Sequence, residues 1–308
     1  MDKSGTNTAA PGVNPPGAAR QTKRGNLLWT GYLYLIPVFA FVGGLIYYTI
    51  YYTAEVSLFD WNGLTPDRDF IGLENYLDIA RDPVFHKILL NTIIFAVLTI
   101  FLQMALGLLI AVLLKFSVVL KSLYKIIFFL PVVTAPAITA FIFRRIYSAE
   151  GELNQLLTAL GLGRFTQVWL ANPDLALYSV AAVNIWHWTG FSFLLYFAAL
   201  TMIDKSIYEA ALIDGANFFQ MLRHITLPLL KPTHFTLITL GVIGSLKTFD
   251  IVYLTTGGGP GRATELMATY IFKKSIVEFD VGYSAALSIV LLLLAVTITV
   301  VQQRFQRT

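Results

Sequence analysis

The chain has 308 residues, 56% of them apolar and only 13% charged, with a formal net charge of +4. Soluble domains carry about 25% charged residues, so this composition excludes a single water-soluble core and points to an integral membrane protein. There is no cysteine, which excludes thiol catalysis, disulfides and cysteine-ligated metals, and no stretch is both basic and aromatic enough to bind nucleic acid.

Residues 1–26 are rich in Gly, Pro, Ala and Thr, end near Lys23-Arg24 and lack an apolar face. They are expected to form a disordered cytoplasmic tail ahead of a transmembrane domain over 27–308. The apolar run from Leu27 to Tyr52 is too long for a signal peptide, and no clear cleavage site follows it, so it reads as a retained first span. A membrane helix needs roughly 20 apolar residues. Six segments meet or approach that length: 28–52, 88–114, 126–143, 176–202, 233–254 and 283–302. Asn91, Gln103, Asn184 and Lys247 are their main polar interruptions, and Pro131 and Pro136 predict a kink in the third. None of the segments alternates like a barrel strand, so the expected fold class is all-α.

Orientation follows from lysine and arginine. Twelve fall in the N-terminal tail, the 115–125 and 203–232 loops and the C-terminus, against nine in the longer opposite loops. The bias places both termini in the cytoplasm, as six spans require.

The 203–232 loop is long for a simple connection and is itself helical in pattern. Ile207, Ala210, Ala211 and Asp214 recur at helical spacing, and Gly215 suits a left-handed helix end. A second short helix near Asn217–His224 follows, with Asn217 as its N-cap, and Leu227-Pro228 is expected to break the pattern. The two alanines leave room for another protein to approach closely, and Glu209 and Asp214 offer charged anchors. The alternative is an amphipathic helix that rests on lipid.

Particular residues sharpen this choice. Glu209-Ala210-Ala211, Asp214-Gly215-Ala216 and Ile225-Thr226-Leu227-Pro228 resemble the EAA loop of ATP-binding-cassette (ABC) importer permeases. Gly72-Leu73-Glu74-Asn75-Tyr76, Asn91-Thr92, Leu130-Pro131, Phe249 to Tyr253, Thr256 to Pro260 and Gly282 to Ala286 resemble the carbohydrate-type, maltose-like branch. The resemblance implies a type I importer fold with six spans and a coupling helix that docks on a separate ATPase. It assigns Glu209, Ala210, Ala211, Asp214, Gly215, Leu227 and Pro228 to that docking. It further implies a second permease subunit in a heterodimer, two ATPase subunits that bind the ATP and Mg, and an extracytoplasmic binding protein. The chain itself would be no enzyme, would hold no cofactor and would sit among the lipids of a bacterial inner membrane.

Candidate substrate-facing residues lie in the fourth and fifth spans. Asn184, His187, Trp188 and Phe191 share one helical face, where rings and hydrogen-bonding groups together suit sugars. The other reading is packing between helices. Lys247, Asp250 and Tyr253 follow at intervals of three, which on a continuous helix makes Lys247 and Asp250 a charge pair, with either a cavity-lining or a purely structural role. Gly257 to Gly261 lacks the Lys-Ser/Thr ending of a phosphate loop and reads as a flexible outer loop. The four histidines show no metal-ligand spacing and no nucleophile–base arrangement is visible, so no metal or catalytic residue is expected. An ion-coupled transporter would show repeats and mid-membrane carboxylates, of which Asp250 alone is present. The substrate expected is a sugar or oligosaccharide, with a glycerol-phosphate compound as the alternative.

Overall fold

The structure is a computed structural model that describes residue 5, residues 24–115 and residues 119–307, with backbone alone at 24–31 and 305–307. Most of the expected tail thus lies outside the described residues, and helix α1 already runs from Arg24 to Val56. By packing the chain divides into two units, Met1–Tyr52 and Thr53–Thr308. The first unit is α1 as far as Tyr52, with Pro37 inside it, as membrane helices tolerate.

The second unit opens with a two-residue antiparallel pair, β1 (Phe59–Asp60) against β2 (Asp69–Phe70). Helix α2 (Glu74–Arg81) follows, then the long α3 (Pro83–Lys115). Next come α4 (Lys121–Val133), α5 (Pro136–Ile146), α6 (Glu152–Ala159) and α7 (Pro173–Met202). Asn172 caps α7 by accepting the Asp174 N–H at 3.0 Å, and Pro173 occupies the first turn, where its missing N–H costs nothing. Then follow α8 (Lys205–Ile213), α9 (Phe218–Met221), α10 (Leu227–Leu229) and α11 (Lys231–Leu246). The chain ends with α12 (Asp250–Thr256), α13 (Met267–Phe272) and α14 (Val281–Arg307).

Among the described residues α1, α3 and α14 are each long and apolar enough to cross a bilayer, and three bent helix pairs bring the possible crossings to six. The six apolar segments are therefore recovered, but two are broken rather than continuous. In the third, α4 and α5 meet at 96°. The expected kink is a full break at Thr134-Ala135, because the residue before Pro136 is pushed out of helical geometry, and Ala135 indeed has ψ of 133°. Pro131 stays inside α4. In the fifth, α11 stops at Leu246 and α12 restarts at Asp250.

The core of the second unit is built on α3 and α7. At one end Phe193, Tyr196, Phe197 and Leu200 of α7 pack with Ala111 and Leu114 of α3 and Leu237 of α11. At the other, Phe95, Val180 and Val183 join Ile251 and Val252 of α12. A third cluster joins Ile79, Phe85 and Ile88 to Tyr270, Tyr283 and Leu287. Lipid gives little hydrophobic drive for helix association, so close packing has to supply it. A Cβ on Gly107 of α3 would stand 2.7 Å from the Phe193 nitrogen of α7, and one on Gly190 would strike the Phe128 carbonyl of α4. Only glycine permits those two crossings.

Candidate coupling loop and translocation cavity

Two features carry chemistry: a helical elbow between α7 and α11, and a cavity beside the break in the fifth span.

The elbow starts where α7 and α8 meet at 71°. Asp204 caps α8 by accepting the Ser206 N–H at 2.9 Å, and that bond, with the Ser206 hydroxyl, holds its carboxyl below the usual carboxylate range. At the far end Gly215 has φ of +80°, its N–H donates to the Leu212 carbonyl at 3.1 Å, and the Ala216 N–H donates to Ala211 at 2.9 Å. Those two bonds form a Schellman helix end, which needs the left-handed residue found there. Asn217 then caps α9 reciprocally with Gln220. The expected helix, turn and second helix are thus all present. Glu209, Ala210, Asp214 and Gly215 are exposed and Ala211 is half-buried.

Leu227 and Pro228 behave differently from expectation. They do not break the helix. The chain winds into a π-helical turn at Leu222–Thr226, continues through Pro228 and bends only at Leu230, where residues 218–229 and α11 meet at 63°. The wider turn bonds Leu227 back to Leu222, which accommodates the proline without a break.

The elbow is tied down from beneath. The Tyr208 hydroxyl lies 3.1 Å from Thr226 Oγ1, and Lys115 Nζ, at the end of α3, stands 3.6 Å from the centre of the Tyr208 ring.

The cavity measures about 440 Å³ and is bounded by α3, α7, α11, the start of α5 and the 247–251 segment. Asn184, Trp188, Lys247 and Asp250 of the predicted residues line it, joined by Phe191, and also by Gln103, Ser192 and Thr248. His187 does not line it. It is 60° off the Asn184 stripe by helical geometry, is 1% exposed, and turns its Nδ1 to Thr139 Oγ1 of α5 at 3.2 Å. Tyr253 does not line it either, because it stacks on Phe249 at 5.0 Å and meets the Phe272 ring. Lys247 and Asp250 form no ion pair with each other among the described residues. The predicted pairing needed a continuous helix, and the break at 247–249 removes it, leaving both charged groups exposed at the cavity wall.

Other motif residues staple the structure. Asn75 donates to the Ser57 and Phe59 carbonyls at 2.9 and 3.1 Å. Asn91 reaches the carbonyls of Arg262, Ala263 and Glu265 at 3.2 to 3.3 Å, fastening the loop that sequence alone suggested was flexible. Within that loop Glu265 is fully buried and pairs with Lys273 at 2.7 Å and Arg262 at 3.7 Å. Asp82 accepts the hydroxyls of Tyr270 and Tyr283, each at 3.0 Å. Isolated acidic and aromatic residues gave no sequence signal for these long-range contacts.

A helical unit with apolar spans, a cavity at a broken span and a capped elbow on a loop has the architecture of a polytopic membrane protein. The family described as "Binding-protein-dependent transport system inner membrane component" matches residues 28–308, and the chain belongs to it. It is a permease component of such a system, a transport protein by family. Over 280 residues it is 36% identical to the probable ABC transporter permease protein YurN of Bacillus subtilis (strain 168), covering 90% of this chain and 96% of YurN. Over 278 residues it is 32% identical to the trehalose/maltose transport system permease protein MalF of Thermococcus litoralis, covering 90% of this chain and 93% of that protein. A crystal structure of a bacterial ABC transporter involved in importing the acidic polysaccharide alginate superposes with a TM-score of 0.79 at 22% identity, over 94% of this chain and 99% of that one. That likeness establishes the type I importer fold.

Proposed function

We propose that this subunit forms one side of an import pathway for a sugar or oligosaccharide and couples it to a separate ATPase through the 203–232 elbow. The observation that carries the coupling role is the doubly capped turn at Gly215–Asn217, which joins α8, with its exposed, small-residue surface, to α9 in a defined geometry. Glu209, Asp214 and the alanines supply the docking face, while Leu227 and Pro228 shape the helix beneath it. ATP and Mg are held by the ATPase, and its closure pushes the elbow. The working assembly pairs this chain with a second, similar permease, two ATPase copies and an extracytoplasmic binding protein. Both termini and the elbow lie on the cytoplasmic side.

The cavity supports the substrate class. Trp188 and Phe191 offer faces for the apolar C–H patches of a sugar ring, and Gln103, Asn184, Ser192 and Thr248 offer hydrogen bonds to its hydroxyls. Its lining has one cation, Lys247, and one carboxylate, Asp250, which do not add up to a site for a phosphate dianion. The test is reconstitution of the full complex in vesicles, with candidate sugars screened for binding-protein-dependent stimulation of ATP hydrolysis. Failure of every sugar, with stimulation by another solute class, overturns the substrate assignment.

A further inference from the structure

We infer that Lys115 is a positioning residue for coupling, clamping the elbow to α3 so that α3 connects the ATPase-facing loop to the loop at the other end of the same helix. This rests on the reading of the elbow as the ATPase dock.

The Lys115 ammonium is buried and has no hydrogen-bond acceptor among the described residues, and it lies 3.6 Å from the centre of the Tyr208 ring. A desolvated cation held against an aromatic face is a strong contact, and here it is what compensates the burial of the charge. Tyr208 adjoins Glu209, and its hydroxyl continues the link to Thr226 in the π-helical turn. Motion of the elbow therefore cannot leave the end of α3 behind without exposing or orphaning that charge.

The opposite end of α3 is fastened as firmly. Lys87 Nζ donates to the Gly261 carbonyl at 2.9 Å, Asn91 holds the carbonyls of Arg262, Ala263 and Glu265, and Thr92 Oγ1 accepts the Met267 N–H at 3.1 Å. From Lys87 to Lys115 the helix is uninterrupted, a rise of about 42 Å at 1.5 Å per residue. That exceeds a hydrocarbon core of about 30 Å, so the helix is long enough to hold the two fastenings at opposite faces of a bilayer. One rigid helix with loops clamped at both ends is a physical element that both loops can bias, which a coupling route requires.

The test uses the complete transporter in vesicles. Three readings are taken: ATPase retained on the complex, ATP hydrolysis with and without binding protein, and sugar transported per ATP. Lys115→Met is expected to retain the ATPase while lowering binding-protein stimulation and transport per ATP roughly tenfold. Lys115→Arg, which keeps a cation over the ring, is expected to restore both. Tyr208→Leu is expected to lower the same ratio, and the double variant to be no worse than the poorer single one. Unchanged stimulation in Lys115→Met overturns the inference, as do losses that multiply in the double variant. Folding is checked by the thermal midpoint of each purified complex, and a loss of stimulation that tracks a lowered midpoint even in Lys115→Arg also counts against it. If the ATPase of the unaltered complex crosslinks away from the elbow, the docking assignment itself falls, which is a separate result.

Discussion

Asn217 and Gln220 hydrogen-bond each other in both directions: the Gln220 N–H donates to Asn217 Oδ1 at 2.9 Å, and the Asn217 N–H donates to Gln220 Oε1 at 2.8 Å. The pair fixes where the second arm of the elbow begins, two residues after the Gly215 turn. Asn217→Ala removes one half of it, and caps of this kind contribute about 1 kcal/mol. The expected result is a lower affinity for the ATPase with normal membrane insertion, read from co-purification at graded ATPase concentrations.

Gly215→Val tests the turn directly. Nothing lies within 4 Å of an added Cβ, so space is no obstacle and the backbone φ of +80° alone opposes the change. A β-branched residue there costs roughly 1–2 kcal/mol or more. Coupling should fail while the protein still inserts, and Gly215→Asn should be milder, because asparagine tolerates the left-handed region. Normal transport by the valine variant would contradict the docking role.

The cavity predicts a contrast between neighbours. Trp188 lines the space and His187 does not. Trp188→Ala should therefore weaken sugar transport, about tenfold for a lost stacking face, with the thermal midpoint little changed. His187→Ala should lower the midpoint by leaving Thr139 without its partner, and change sugar dependence little. Initial-rate transport and thermal unfolding in detergent separate the two.

Asp82 should make its staple to Tyr270 and Tyr283 acid-sensitive. Burial pushes its carboxyl upward, but bonds from the Val84 N–H, the Tyr270 and Tyr283 hydroxyls and the Phe85 N–H outweigh that and hold it below its ordinary value. A carboxyl lowered in the folded state contributes stability that is complete above its unfolded value, near 4, and is lost as pH falls through the folded one. Asp82→Asn should reduce stability at neutral pH by about 1–2 kcal/mol and flatten the acid limb of a midpoint-versus-pH curve.

Gly190→Val should be more damaging than any of these. Its added carbons meet the Phe128 backbone, which has no flexible end to move away. Overpacking of this kind costs roughly 1–3 kcal/mol or more, and the expected readout is poor recovery of folded protein from the membrane.

The six spans were legible because apolar length is a local property, and each survives in the structure as one helix or a bent pair. The elbow was legible at its turn and at the Asn217 cap, since Asp214-Gly215-Ala216-Asn217 carries that chemistry in the chain itself, while the Asp204 cap and the Gln220 partner were not foreseen. The break at Lys247–Phe249 was not: no glycine or proline falls within it, and α12 beyond it packs against α5, a contact far apart in the chain. That one omission produced the expected Lys247–Asp250 pair, which the structure does not form, and the stripe that put Tyr253 in line with it. The sequence left His187 between the pathway and packing readings for a related reason, because which side of a helix faces a void depends on where the broken third span places Thr139. Pro228 looked like a stop only while the preceding turn was assumed to be regular.

The π-helical turn at Leu222–Thr226 has a consequence for evolution and engineering. One surplus residue in a turn twists everything beyond it by about 100°, so this stretch sets the angular phase between the elbow and α11. Its length should then be far less negotiable than its composition. Deleting a single residue there would keep every side chain of Glu209 to Gly215 intact and still aim them in the wrong direction.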